Sequence, residues 1–354
     1  KSLEGEQIIE IVQDYLNDKA NRNVSYNDVV NYLTCIGQGF ITIFAGQPGT
    51  GKTSLCSLIA KALGLAGENE NKRFVEIAVE RGWTSHKDFI GYYNPLTKQL
   101  EKSNIEVFDA FSRLNQEASE KITAPMFMLL DEANLSPIEH YWAAFIKNCD
   151  FDSVTERSIT LGGNLKWNLS PNLRFLATVN FDHTTEELSP RLLDRSWVVI
   201  LEPVQIDEEI ITQEQMLNAE KVVSFNDFIN AFGKDNEVEI DDNIMTKWKN
   251  IRNIFRQNDM MIMPRNVKMV LEYCKVACKY MKRDTPETRF APLDYAIAQK
   301  ILPIINGNGE NIQSLIIQLK EECGESNMPI CSKILNRIQR KADDNMGYYQ
   351  FFTM

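Results

Sequence analysis

The sequence predicts an α/β protein with a parallel sheet, followed by an α-helical domain, and three observations carry that prediction. Residues 40–65, FITIFAGQPGTGKTSLCSLIAKALGL, pass from an apolar β-branched run through a glycine-rich turn into a pattern with Leu55, Leu58, Ile59 and Leu63 on one helical face. Residues 126–130, MFMLL, are continuously apolar and end in two carboxylates, as a strand buried on both faces of a parallel sheet does, and residues 173–179 read as a third strand. Beyond about residue 204 the β character fades. Residues 241–255 and 265–281 are then helical, and in the second Val267, Val270, Leu271, Cys274, Cys278 and Met281 share one face.

A chain of 354 residues is long enough for two domains. The expected division is 1–36 as accessory helices, 37–203 as the α/β domain and 204–354 as a linker and helical domain. Hydrophobic residues at 44% and charged residues at 25% are ordinary for a globular protein. The net charge of −11 argues against a chain that coats nucleic acid, though a small basic loop would still be able to touch DNA. No run approaches about 18 apolar residues and no signal-peptide pattern opens the chain, so no membrane span and a cytoplasmic location are expected. Seven Cys with no CxxC pair, and three His, give no zinc spacing; reduced, half-buried thiols are the expectation. The chain opens on Lys1 rather than Met, as a fragment of a longer protein would.

In chain order, Ile8, Ile9, Val12, Tyr15 and Leu16 fall at helical spacing, and Ser25-Tyr26-Asn27-Asp28 is a cap before Val29, Val30 and Leu33. The segment Gly46-Gln47-Pro48-Gly49-Thr50-Gly51-Lys52-Thr53 comes next. Its glycines permit turns in which successive N–H groups face a phosphate, and the helix behind it adds its own unpaired N–H groups and positive dipole end. Lys52 is placed to reach β- and γ-phosphates and the Thr53 hydroxyl to ligate Mg²⁺, with Ser54 completing the nucleotide-contacting set. Residues 67–72 read as a loop, 74–79 as a strand, 96–103 as part of a hairpin and 105–118 as an amphipathic helix.

Residues 126–134, MFMLLDEAN, resemble a Walker B motif. Asp131 would hold Mg²⁺, directly or through water, and Glu132 would orient and polarise an attacking water. Residues 158–171 read as a hairpin with Gly162-Gly163-Asn164 at its tip. Its Lys166 and Trp167 would either face a pore or be a solvated charge and a packed aromatic. Asn180 closes the third strand, as a turn residue or as an amide for the reacting groups. Residues 188–196, LSPRLLDRS, precede a strand at 197–201. Residues 204–234 suit a linker plus a short helix, and 293–340 continue as helices broken at 306–309. The tail at 347–354 gathers Tyr348, Tyr349, Phe351 and Phe352, to dock on the helical domain or on a domain beyond this chain.

The order of phosphate loop, DEANLSPIEHYW at 131–142, ATVN and SPRLLDRS at 189–196, together with RGWTSHKDFIGYYNP at 81–95 and PLDYAIAQKILPIINGNGE at 292–310, resembles the AAA+ module of McrB-type restriction and defence NTPases, in the dynein-related, MoxR-like branch. The resemblance implies a P-loop AAA+ three-layer sandwich with a parallel sheet and an α-helical lid. It implies that Asn134 belongs to the catalytic centre beside Lys52 and Glu132, that Asn180 acts as sensor 1, and that Arg195, or Arg191, is an arginine finger entering the neighbouring subunit's site. The alternative for either arginine is a local pair with Asp194 or Glu187. Arg265, opening a helix after Met263-Pro264, would be the sensor 2 contact to the γ-phosphate.

The same resemblance implies a homo-oligomeric ring, commonly a hexamer, that hydrolyses ATP or GTP with Mg²⁺ and drives or gates a nuclease or other effector. Two alternatives stay open: a MoxR-like ATPase chaperone that remodels protein, and a scaffold that binds nucleotide only to assemble. A pure binder has use for Lys52 and Thr53 but none for Glu132, Asn134, Asn180 and an arginine together.

Overall fold

The structure, a computed structural model, describes residues 1–68, 72–150, 157–182, 185–203, 221–234 and 236–352. The elements run α1 Gly5–Asp14, α2 Tyr26–Gln38, β1 Ile41–Gly46, α3 Lys52–Ala62, β2 Phe74–Ala78, β3 Gly91–Asn94, β4 Gln99–Lys102, α4 Ile105–Glu117 and β5 Met126–Asp131. They continue with the short α5 Ile138–Tyr141 and α6 Ala143–Asn148, β6 Ser158–Thr160, β7 Lys166–Asn168, β8 Leu173–Asn180, α7 Pro190–Leu193, β9 Trp197–Ile200 and α8 Phe225–Phe232. The remainder is α9 Asp242–Gln257, α10 Pro264–Tyr280, α11 Ala291–Ala296, β10 Asn306–Asn308, α12 Glu310–Cys323, α13 Pro329–Asp344 and β11 Tyr348–Gln350. The chain forms two compact units, residues 1–23 with 39–229, and residues 24–38 with 230–354.

In the first unit a five-stranded sheet has the order β2-β5-β8-β1-β9, every pairing parallel. All of β1, residues 126–130 of β5 and residues 173–179 of β8 are buried, which requires cover on both sheet faces and accounts for their mostly apolar character. Register sets the site. Gly46 of β1 lies opposite Asn180 of β8, and Ala78 of β2 opposite Asp131 of β5, so the carboxyl ends that carry polar residues share one edge. This is a P-loop AAA+ α/β fold with a helical C-terminal region.

Beneath that edge Phe145 meets Phe175 at 4.8 Å between ring centroids, and Trp142 meets Phe175 at 5.3 Å, edge to face. Two antiparallel hairpins, β3–β4 and β6–β7, sit side by side, joined where Tyr93 N–H donates to the Leu161 carbonyl at 2.8 Å. The tip of β6–β7 requires glycine at 163: its φ is +56°, and a Cβ there would stand 2.3 Å from the Tyr93 ring. Trp167 is buried against Phe108 at 5.0 Å while Lys166 is exposed, so the packed-aromatic reading holds for this hairpin and the pore-facing one does not for Trp167.

The second unit gathers α2 with the C-terminal helices, so the expected accessory segment 1–36 is divided between the two units. The reason is chemical: α2 is buried on nearly every face and its polar residues need partners. Asn27 exchanges two 2.8 Å hydrogen bonds with the Lys282 backbone, Asn31 Nδ2 donates to Gln299 Oε1 at 2.7 Å, and Gln38 Nε2 donates to the Glu272 carbonyl at 3.0 Å. The expected boundary at 204 opens the stretch 204–220, which lies outside the described residues. The helix break at 306–309 proves to be a strand, β10, paired antiparallel with β11 of the tail. Phe351 is fully buried there and the Arg337 guanidinium lies 5.6 Å from its ring centre, so the tail docks within the helical unit. All seven cysteines are free thiols and five are buried. Among the described residues no helix is long and apolar enough to cross a membrane.

Asp294 closes the start of α13, accepting from the N–H groups of Cys331 at 2.8 Å and Ile330 at 3.1 Å. Burial raises its pKa to about 6, against which these hydrogen bonds pull only partly. A carboxyl whose folded value lies above its unfolded one holds its proton more tightly when folded. Its contribution is therefore complete below about pH 4 and is lost as pH rises through about 6. Chemical denaturation of the full chain at pH 5 and 7.5 should show Asp294→Asn gaining about 1 kcal/mol relative to the unsubstituted protein at the higher pH. An equal difference at both pH values would show that Asp294 does not titrate this way.

Candidate nucleotide-binding site

β1 delivers the chain into the glycine-rich loop at the polar edge of the sheet. Gly46 and Thr50 are buried, whereas Gln47, Pro48 and Gly49 form an exposed crown and Ser54 is exposed on the first turn of α3. Gly51, at φ +78°, is the N-cap of α3 and brings no side chain to cap it. The N–H groups of that first turn are therefore open to an anion without competition from an N-cap side chain.

Lys52 is the first residue of α3 and is only 7% exposed. Its ammonium group donates to the carbonyls of Gln47 at 2.8 Å and Gly46 at 3.3 Å, and to Thr50 Oγ1 at 3.2 Å. Burial lowers its pKa, while the negative charges of Asp131 and Glu132 act in the opposite direction. The lysine is thus held inside the loop, within electrostatic reach of Asp131 and Glu132.

Asp131, at the end of β5, is bonded from a helix and a neighbouring strand. Its Oδ1 accepts from Thr53 Oγ1 at 2.6 Å and from Thr178 Oγ1 at 2.8 Å, and the Thr178 hydroxyl in turn accepts the Glu132 N–H at 2.8 Å. Thr178 did not stand out in the sequence. Its signal is a single hydroxyl inside the buried strand LRFLATVN, where a polar atom needs a partner.

Glu132 has φ 50° and ψ 50°, a left-handed conformation that costs a non-glycine residue about 1 kcal/mol or more. That turn ends β5 abruptly and leaves the Glu132 side chain exposed at the polar edge. Asn134, 3% exposed, uses both ends of its amide on Asn180: Nδ2 donates to the Asn180 carbonyl at 3.0 Å and Oδ1 accepts the Asn180 N–H at 3.4 Å. The structure therefore brings Lys52, Thr53, Asp131, Glu132, Asn134 and Asn180 to one edge, with Asn134 bracing the backbone of Asn180.

The arginines come from other segments of the chain. Arg195 pairs with both carboxylate oxygens of Asp150, at 3.0 and 3.2 Å, and its Nη1 donates to the Arg191 carbonyl. Asp150, rather than Asp194 or Glu187, is the local partner. Arg191 is exposed on α7, which Ser189 caps through the Leu192 N–H. Arg265 is exposed at the start of α10, in the helical unit.

Among the described residues no cluster of three or more His, Cys, Asp or Glu could hold a metal ion. Mg²⁺ does not require one, since it takes one or two protein oxygens and completes its shell with phosphate and water. Thr53 and Asp131 are hard oxygen donors 2.6 Å apart, and their chemistry fits that ion.

Two stretches of the chain match family models. Residues 213–348 match a domain of unknown function (DUF8727). No curated protein matches the chain. Residues 41–196, from the first residue of β1 to the residue before β9, match the family model of the AAA domain of the dynein-related subfamily, so the phosphate loop and its sheet form an AAA+ ATPase module of that branch.

Proposed function

We propose that the chain is a nucleoside triphosphatase that hydrolyses ATP or GTP. The observation that carries this reading is the bonding of Thr53, Asp131, Thr178 and the Glu132 N–H into one cluster beside the buried ammonium of Lys52. A site that merely bound nucleotide would not need the strained Glu132 at that edge. Lys52 exchanges a loop carbonyl for a phosphoryl oxygen and offsets negative charge there. Glu132 orients a water and takes its proton as the water oxygen bonds to the γ-phosphorus and the β–γ bridging P–O bond breaks. The Asn180 amide, at the strand end opposite Gly46, assists in holding that water. Thr53 and Asp131 would hold Mg²⁺, which spreads phosphate charge when bound.

The likeness of the 131–142, 189–196 and 292–310 segments to McrB-type modules supports a further reading: a ring, hexameric by that analogy, acting as motor or switch for a nuclease or other effector in defence. In such a ring Arg195, or the exposed Arg191, serves the neighbouring subunit's nucleotide, an effect worth about 10³ to 10⁵ in rate in related phosphoryl transfer. Arg195 would then leave Asp150 on assembly. None of these residues reads the base, so ATP and GTP stand equal.

Phosphate release from the purified chain with Mg²⁺ and ATP or GTP tests the reading. Lys52→Ala should abolish turnover, and Glu132→Gln should reduce kcat by about 10² or more while nucleotide still binds. Full turnover in Glu132→Gln would remove it from the chemistry. Thr178→Val, which keeps shape but loses the hydroxyl, should lower kcat about tenfold, with Thr178→Ser recovering most of it. Mixing Arg195→Ala with Glu132→Gln subunits should restore partial activity, since each contributes one intact half of a shared site. No recovery in rings shown to contain both would exclude Arg195 as the finger.

A further inference from the structure

Arg22 lies in the first unit, in the turn after a π-helical stretch, Tyr15–Lys19, that continues α1, and nothing in its sequence context marks it as part of a site. Two asparagines in the left-handed region flank it, Asn21 at φ 51° and Asn23 at φ 52°. Its N–H donates to the Leu16 carbonyl at 2.9 Å, and the Ala20 N–H to the Tyr15 carbonyl at 3.1 Å, which fixes the turn. The side chain reaches the phosphate loop. Arg22 Nη2 donates to the Gly51 carbonyl at 3.0 Å, and a Cβ added to Gly51 would stand 2.6 Å from Nη1.

The same Gly51 oxygen accepts the Leu55 N–H at 2.9 Å, the first hydrogen bond of α3. Two donors therefore hold one carbonyl. Because a trans peptide is planar, its C=O and the following N–H point in opposite directions, so fixing the Gly51 oxygen also fixes the aim of the Lys52 N–H. Gly51 is the residue at which this matters most: with φ +78° and no side chain, its backbone has more alternative conformations than any neighbour.

We propose that Arg22 is a positioning residue of the phosphate loop, clamping the Gly51–Lys52 peptide so that its N–H is preset for a triphosphate. This rests on the nucleotide-binding reading above and goes beyond it in joining the segment after α1 to the site. The close approach of the guanidinium also places a second positive charge beside Lys52, which strengthens the attraction for a polyanion. A hydrogen bond from a charged donor to a carbonyl is strong enough to change affinity about ten- to a hundredfold.

The test is titration of the full chain with Mg²⁺ and fluorescent N-methylanthraniloyl ATP and GTP, with Lys52→Ala as reference. Arg22→Ala should raise Kd at least about tenfold, and Arg22→Lys, which keeps one donor and the charge, should fall between Arg22→Ala and the unsubstituted chain. Guanidinium ion at millimolar concentration, too dilute to unfold the protein, should restore affinity to Arg22→Ala and leave the unsubstituted chain unchanged. Equal Kd values in Arg22→Ala and the unsubstituted chain would overturn this inference alone. So would a weakening that neither lysine nor guanidinium relieves, since that is the mark of a general structural tie. Should Arg22→Ala not fold, an unchanged Kd in Arg22→Lys overturns the inference. Failure of the unsubstituted chain to bind either nucleotide would overturn the nucleotide-binding reading and this inference with it.

Discussion

A carboxylate oxygen that accepts two threonine hydroxyls holds the polar edge of this molecule together. Asp131 ends β5, Thr53 lies in the first turn of α3 and Thr178 belongs to β8, so Oδ1 of Asp131 ties the helix behind the phosphate loop to two central strands. Charge-assisted hydrogen bonds of this kind are about twice as strong as neutral ones, and here they also fix direction. The orientation of Asp131 sets where a cation would sit, and the Thr178 hydroxyl passes the constraint on to the Glu132 N–H. The loop, the strand end and the acid beside it are one bonded assembly.

That assembly holds its strained and buried members in place. Glu132 is in the left-handed region, and Lys52 is a nearly buried ammonium that its surroundings push toward neutrality. Each is unfavourable in isolation and persists because neighbours leave no alternative. Asn134 serves the same end on the other side, locking the backbone of Asn180 while Gly46 pairs with it across the sheet. The resulting edge holds its dipoles by hydrogen bonds, as the proposed phosphate chemistry requires, and its exposed members include the glycine-rich crown and Glu132.

Much of this was legible in the sequence because the signals were local. Strand, loop and helix follow one another within residues 40–65, and the apolar run before Asp131 and Glu132 admits few other structures. What escaped was set by contacts between distant segments. Thr178 looks like any β-branched strand residue until Asp131 is placed beside it. Arg22 precedes Gly51 by 29 positions, and only the turn after α1 brings them together. Asp150 as the partner of Arg195, the pairing of β10 with the tail and the grouping of α2 with the C-terminal helices are likewise tertiary choices that no periodicity encodes. Trp167 illustrates the converse: an aromatic at a hairpin suits both a pore and a core, and Phe108 decides for the core.

The most direct measurement is a crystal structure of the full chain with Mg²⁺ and a non-hydrolysable triphosphate analogue. If the threonine pair sets Asp131 for the metal, Mg²⁺ will be bound by Thr53 Oγ1 and reached by Asp131 directly or through one water, with Lys52 Nζ moved from the Gln47 carbonyl to phosphate oxygen. A triphosphate bound away from residues 46–53, or a metal ion held without either Thr53 or Asp131, would contradict it.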